Sequence, residues 1–200
     1  MELSCVADAI ILRVDDAALF RSTRRGDESA FCELFDRYQR RLYQYAAQMY
    51  GSAAADDIIQ ETFLAVLKAD GFDSSIGTLA AYLFGIARHH VIRRLTKQGT
   101  LLESSYVGEM ASPGPQETPF DVLAREEAIA AVRTAVQSLP PLYREVVVLC
   151  GLQEMDYASV ADVINVPIGT VRSRLHRARA LLAHKLPGDL QKRTHSAGSV

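Results

Sequence analysis

The 200-residue chain has no tryptophan and only three cysteines. Cys5, Cys32 and Cys150 lie far apart, form no CxxC pair, and leave one over if two were to bond. That excludes a disulfide framework and fits a reducing, cytoplasmic setting. Apolar runs are broken by charge well before the roughly 20 residues that a membrane span requires, so no membrane insertion is expected. The first residues, Met1 to Arg13, lack a basic start and carry Asp8, so no export signal is expected either. No stretch alternates as a half-buried strand would. Net charge is also nearly absent, with 22 Lys and Arg against 24 Asp and Glu giving −2, and taken alone this argues against a polyanionic partner. What remains is a chain 48% apolar and 23% charged, enough for one large or two small cores.

Charge missing from the total is present locally. No carboxylate occurs between 74 and 102, where Arg88, Arg93, Arg94 and Lys97 stand with His89 and His90. Between 99 and 127 the sign reverses. Glu103, Glu109, Glu117, Asp121, Glu126 and Glu127 outweigh Arg125, while Pro113, Gly114, Pro115 and Pro119 break regular structure, which reads as a flexible acidic linker. Between 167 and 186 carboxylates are again missing, and Arg172, Arg174, Arg177, Arg179 and Lys185 accumulate. Aromatics are concentrated ahead of the linker, so the two halves differ in chemistry.

Both halves read as helices. Asp15 can cap a helix over roughly 16–25, stopped by Gly26. Asp27 can cap a longer one with Phe31, Leu34, Phe35, Tyr38, Leu42 and Tyr45 on one stripe, broken by Gly51. Ile58, Ile59, Phe63, Val66 and Leu67 repeat the stripe in a third helix, leaving Asp56, Asp57, Gln60 and Glu61 mainly toward water. A fourth, over about 78–97, turns Leu79, Leu83, Ile86 and Ile92 inward. After the linker come an alanine-rich helix over 120–137 and a short one over 142–150, restarted at Pro140-Pro141. A helix through Tyr157, Val160, Ala161 and Ile164 is followed by the turn Asn165-Val166-Pro167 and a last helix over about 168–185. That is a helix-turn-helix layout. In the last helix Val171, Leu175, Ala178 and Leu182 share a narrow arc, while Ser173, His176 and Arg177 project oppositely and Arg172 and Arg174 stand on the flanks. Such a helix can lie in a major groove. Arg177 and Arg172 then suit bidentate guanine contacts, Ser173 and His176 shorter readout, and Arg174 phosphate clamping or packing.

Two long motifs carry a resemblance. LPPLYREVVVL from Leu139, with Tyr157, Ala161 and VPIGTVRSRLHRARALL from Val166, resembles region 4 of bacterial sigma-70-family factors of the extracytoplasmic-function group. GDESAF from Gly26, DIIQETFL from Asp57 and LFGIAR from Leu83, with Arg94, resemble region 2 of the same group, in the expected order. The resemblance implies an all-α protein of two small helical domains joined by the flexible acidic linker. The expected organisation is an N-terminal extension over 1–14, region 2 over 15–98, the linker over 99–119, region 4 over 120–186 and a short tail over 187–200. No region 1.1, full region 3 or further C-terminal domain is expected.

The resemblance also implies function. The chain would be an alternative sigma factor that binds core RNA polymerase through the β′ clamp helices and the β flap and directs it to promoter DNA. Asp57, Gln60, Glu61 and Phe63 take the core-binding positions, with Ala54 where an acidic residue is usual. Phe72, Asp73, Tyr82, Arg88, His89, Arg93 and Arg94 take the minus-10 positions, in a loop over 69–75 that encloses an unstacked base beside a basic helix that holds the backbone. His89 stands where the group commonly has Asn, and Tyr82 where it has Trp, which bears on the preferred base. Thr170, Arg172, Ser173, Arg174, His176 and Arg177 take the minus-35 positions. An anti-sigma factor is the regulator the resemblance implies, and no cofactor or metal is. A linker of about 20 residues at 3.3 to 3.6 Å each reaches roughly 70 Å, enough to hold two DNA sites together.

Two other readings bear comparison. A polymerase-independent helix-turn-helix regulator would explain the C-terminal part but leave Asp57 to Leu64 and the basic fourth helix without a purpose. An enzyme would need a convergent site, and His89-His90 and His176 with His184 have neither zinc spacing nor cysteine partners. No catalytic residue is assigned.

Overall fold

A computed structural model describes residues 15–68, 71–97 and 129–185. The expected N-terminal extension, linker and tail lie outside the described residues, as do Ala69 and Asp70 of the loop. Every regular element described is helical.

Helix starts follow side-chain caps. Helix α1 (Asp16–Arg24) is capped by Asp15, whose carboxylate accepts from Ala18 N at 3.3 Å. Helix α2 (Glu28–Tyr50) is capped by Asp27 accepting from Ala30 N at 3.1 Å, and it ends at Gly51, whose φ of 111° suits glycine. A 3₁₀ turn (Ser52–Ala54) leads into α3 (Ala55–Lys68), and α4 (Leu79–Lys97) follows the loop. From residue 129 onward come α5, helical over 129–137 of the described residues, and α6 (Pro141–Val147), prolonged by a π-helical turn (Val148–Leu152). Helix α7 (Tyr157–Ile164) and helix α8 (Ile168–Lys185) complete the described residues.

In the first half, α1, α3 and α4 pack around α2, burying Leu34, Leu42, Ile58, Val66 and Leu83 completely. In the second, α6 and α7 pack on α8 or its neighbours through Leu139, Val146, Leu149, Val160 and Val171, all at 0% exposure. The halves also touch. Helix α4 lies against α7, and α2 against α6 and the π turn.

Two packing expectations need correction. Leu67 is 42% exposed, because the buried arc of α3 is filled by Ala55, Ile58, Ile59, Thr62, Phe63 and Val66 and leaves Leu67 on its flank. In α4, Phe84, Ala87 and Val91 are buried, while Ile86 and Ile92 are only half-buried. A single-stripe reading fails there because α4 packs against α2, α3 and α7 at once.

Candidate nucleic-acid interface

The helix-turn-helix is built by three local devices. Asp156 caps α7, its carboxylate accepting from Ser159 N and Ser159 Oγ at 2.8 Å each, and these bonds hold its carboxyl below the usual range. Asn165 takes φ 53° and ψ 56°, the left-handed conformation that Asn tolerates, and its N–H closes on Asp162 O. Pro167 then precedes α8, where Thr170 N and Val171 N bond back to its carbonyl. On α8, Val171, Leu175 and Ala178 are buried, as expected, and Leu182 is half-buried. Arg172, Ser173, His176 and Arg177 are exposed, and Thr170 and Arg174 half-buried. All six predicted minus-35 residues therefore stand on the uncovered side or flanks of one helix. The Arg172 guanidinium lies over the Tyr157 ring, 5.9 Å from its centroid, so α7 supports it from behind.

A second constellation forms around the loop. Asp73 accepts from Ser75 N at 2.8 Å and its carbonyl from Ile76 N at 3.1 Å, folding the loop into a turn. The bonds from Ser75 hold the Asp73 carboxyl below its usual range. Phe72, Tyr82 and Phe20 form an aromatic trio with centroids 5.5 to 5.8 Å apart. Phe72, Asp73, Tyr82 and His89 together line a cleft of about 1100 Å³, whose far wall comes from Asp162, Asn165, Val166 and Pro167. Arg93 is exposed on the next turn of α4.

Two predicted DNA-binding arginines have protein partners. Arg94 donates both terminal nitrogens to Glu61, at 2.8 Å each, and this pairing holds the Glu61 carboxyl below its usual value. His90 Nδ1 sits 2.8 Å from Glu61 Oε2 but off the line of a hydrogen bond, and burial keeps its pKa below the ordinary histidine value. Arg88 donates Nε to Glu145 Oε1 at 2.9 Å.

The predicted polymerase-facing residues divide. Asp57 and Gln60 are exposed on α3, and Glu61 is half-buried under Arg94. Phe63 is only 3% exposed and packs on Phe31 and Phe35, with centroids 6.0 and 4.8 Å away. It supports the face from beneath, because its ring completes the α2–α3 contact.

Comparison with known proteins settles the family. Residues 34–100 match the family model for sigma-70 region 2, and residues 129–182 that for sigma-70 region 4. The chain belongs to the sigma-70 family, in its extracytoplasmic-function group. The extracytoplasmic-function sigma factor SigW of Bacillus subtilis is 28% identical over 176 residues, covering 83% of this chain and 94% of SigW. The sigma-E factor of Escherichia coli K12 is 29% identical over 184 residues, covering 87% of this chain and 95% of that protein. Among solved structures, the sigma factor RpoE in complex with the anti-sigma factor NepR from Bartonella quintana superposes with a TM-score of 0.63 at 26% identity, over 80% of this chain and 98% of that one. CnrH in complex with the cytosolic domain of CnrY gives a TM-score of 0.62 at 26% identity, over 92% and 99% of the two chains.

Sequence reasoning overlooked two features of this sigma factor. Leu64 and Leu67 are 52% and 42% exposed beside Asp57 and Gln60, so the region 2 face on α3 is apolar as well as acidic. An i, i+3, i+7 reading from Asp57 through Gln60 to Leu64 could have found the first. The other is Glu145, a region 4 carboxylate buried to 5% exposure between Tyr45 and Arg88 of region 2. No spacing rule links residues 57 and 100 positions apart.

Proposed function

We propose that this chain is a cytoplasmic, non-enzymatic initiation subunit that docks on core RNA polymerase through α3 and reads a bipartite promoter with two separate helices. Asp57 and Gln60, flanked by Leu64 and Leu67, form the docking face for the β′ clamp helices, and region 4 engages the β flap. An exposed apolar patch edged by the Asp57 carboxylate suits a partner that buries the leucines and answers the carboxylate with a cation. The loop residues Phe72 and Asp73, with Tyr82 and His89, form a pocket for an unstacked base of the minus-10 element, and Arg93 meets its backbone. Arg88 and Arg94 join that backbone contact when their carboxylate partners release them. On α8, Arg177 and Arg172 read base edges in the minus-35 major groove, Ser173 and His176 read beside them, and Thr170 and Arg174 hold phosphates. No described helix is long and apolar enough to cross a membrane. Since RpoE and CnrH are each described with an anti-sigma partner, an anti-sigma factor is the proposed regulator here too.

The observation that carries this reading is the presence, in one chain, of a helix-turn-helix whose reading helix is free on its arginine side and an α3 face that has no use in a free-standing repressor. The test is transcription in vitro with purified core polymerase and a genomic promoter library. Specific initiation that depends on the added chain is expected. Failure to bind core or to direct initiation, where a well-behaved sigma factor does both, would overturn the proposal.

A further inference from the structure

The contact between region 2 and region 4 is polar and specific. Arg41, Gln44, Tyr45 and Gln48 recur at three- and four-residue steps and so share one stripe of α2. Each meets region 4. Arg41 donates Nη2 to Gln153 O at 2.7 Å, and Gln153 Nε2 reaches Gln44 Oε1 at 3.5 Å. Arg144 donates to Gln48 O at 3.4 Å. At the centre, Glu145 Oε1 accepts from Tyr45 OH and from Arg88 Nε, both at 2.9 Å. Tyr45 is fully buried, edge-on to Phe84, and its hydroxyl is pushed well above the ordinary tyrosine range by burial first and by Glu145 second. A carboxylate buried this deeply is held in place by its partners. Removing them strands a charge, whereas water solvates Glu145 once the halves part.

This packing is incompatible with a promoter-spanning sigma factor. Helix α4 touches α7, and α7 touches α8. At 8–10 Å between packed axes, α4 and α8 lie no more than about 20 Å apart. Two elements centred near minus-10 and minus-35 are separated by about 80 Å of duplex at 3.4 Å per base pair. The closed chain also turns its minus-10 cleft toward Asn165 and Pro167 of region 4.

We propose that the closed arrangement is an autoinhibited state of the free sigma factor, latched by Glu145, whose carboxylate holds the Arg88 guanidinium in place of a promoter phosphate. Opening exchanges one anion for another on Arg88, so the latch and the DNA contact exclude each other. Core polymerase, which holds region 2 and region 4 on separate sites, selects the open chain, and its apparent affinity is reduced by the fraction of chains that are closed. Only the exchange on Arg88 rests on the proposed minus-10 role of that residue. The latch itself does not.

The test uses the full chain with Glu145→Gln, which keeps the shape and removes the charge. Small-angle scattering of the wild-type chain is expected to give a compact particle, and of Glu145→Gln an expanded one with unchanged helical circular dichroism. Core affinity is expected to rise about tenfold, the change produced when an open population near one in ten becomes the majority. An extended wild-type chain, or a variant that stays compact with unaltered core affinity, would refute the latch. Should Glu145→Gln lose helicity, Arg88→Gln removes the cation of the latch from the region 2 side at a half-buried position. It must then expand the chain, and a compact Arg88→Gln overturns the proposal. Scattering decides the latch without polymerase, so a chain that closes and opens as described yet never binds core would reject the sigma-factor role and leave the latch standing.

Discussion

Replacing Arg177 with alanine should separate promoter reading from folding. The side chain stands exposed on α8, turned away from the buried Val171, Leu175 and Ala178. Truncating an exposed side chain away from packing changes stability by no more than about 0.5 kcal/mol. A guanidinium that meets a guanine edge bidentately contributes about 1–3 kcal/mol of discrimination, which at 1.4 kcal/mol per decade is about 5- to 140-fold. Val171→Ala is the contrasting perturbation. Val171 is at 0% exposure, so two lost carbons at about 0.8 kcal/mol each plus the cavity left behind cost roughly 2 kcal/mol. In a chain of this length that lowers the melting temperature by about 4–8 °C. Arg172→Ala should fall between the two, since its guanidinium over Tyr157 contributes about 0.5–1 kcal/mol at an exposed site.

The assay is run-off transcription at saturating core polymerase, on paired templates that share a minus-10 element and differ only in an intact or scrambled minus-35 element. Arg177→Ala should lose activity on the intact template alone, erasing the preference between the two, with a melting curve superimposable on wild type. Equal loss on both templates, or a melting shift as large as that of Val171→Ala, would refute the assignment of Arg177 to base readout.

Three further outcomes follow from the geometry. Leu64→Asp should weaken core binding about tenfold or more on every promoter, because it puts an unpaired carboxylate into a contact that closes over the leucines, and an unchanged affinity by fluorescence anisotropy would remove α3 from the docking face. Asn165→Val should lower region 4 stability by about 1–2 kcal/mol because a β-branched residue resists the left-handed conformation, whereas Asn165→Gly should cost little, and equal thermal melts for the two would contradict the turn geometry. Arg94 depresses the Glu61 pKa from an ordinary 4.5, so the stabilisation by the pair is fully present above pH 4.5 and lost as pH falls through the lower folded value. The stability gap between wild type and Glu61→Gln, followed by acid titration of thermal melts, should therefore close as pH falls below 4.5; a gap that went on widening below 4.5 would reverse the sign.

Much of this molecule was legible in the sequence because its local rules agree. Asp15 and Asp27 each precede a helix and each cap it, and the turn at Asn165 takes the αL conformation. The arc of Val171, Leu175 and Ala178 leaves its arginines outward because α8 packs through one face only. Helix α4 was less legible for the opposite reason. It touches three helices, so its buried residues do not follow a single stripe, and Ile86 lines a cleft in place of a core.

The partnered arginines mark the deeper limit. Periodicity reports which face of a helix is polar, but not what a charge on that face will meet. Arg93, Arg94 and Arg88 are indistinguishable as basic residues on one helix, yet the first is exposed, the second is fixed to Glu61 within region 2, and the third bridges to Glu145 in region 4. Their availability to DNA therefore differs by the cost of breaking each pair. Among the described residues Arg93 has no pair to break, and Arg94 has one that is partly solvated, with side chains 17% and 35% exposed. For Arg88 the partner is 6% exposed and anchored by Tyr45, so its release and the separation of the two halves are one event. A near-neutral total charge then has a physical meaning. The acidic groups that cancel the basic ones sit partly on Arg88 and Arg94 themselves, so on the proposed closed arrangement the free chain should bind promoter DNA weakly until region 4 is drawn away.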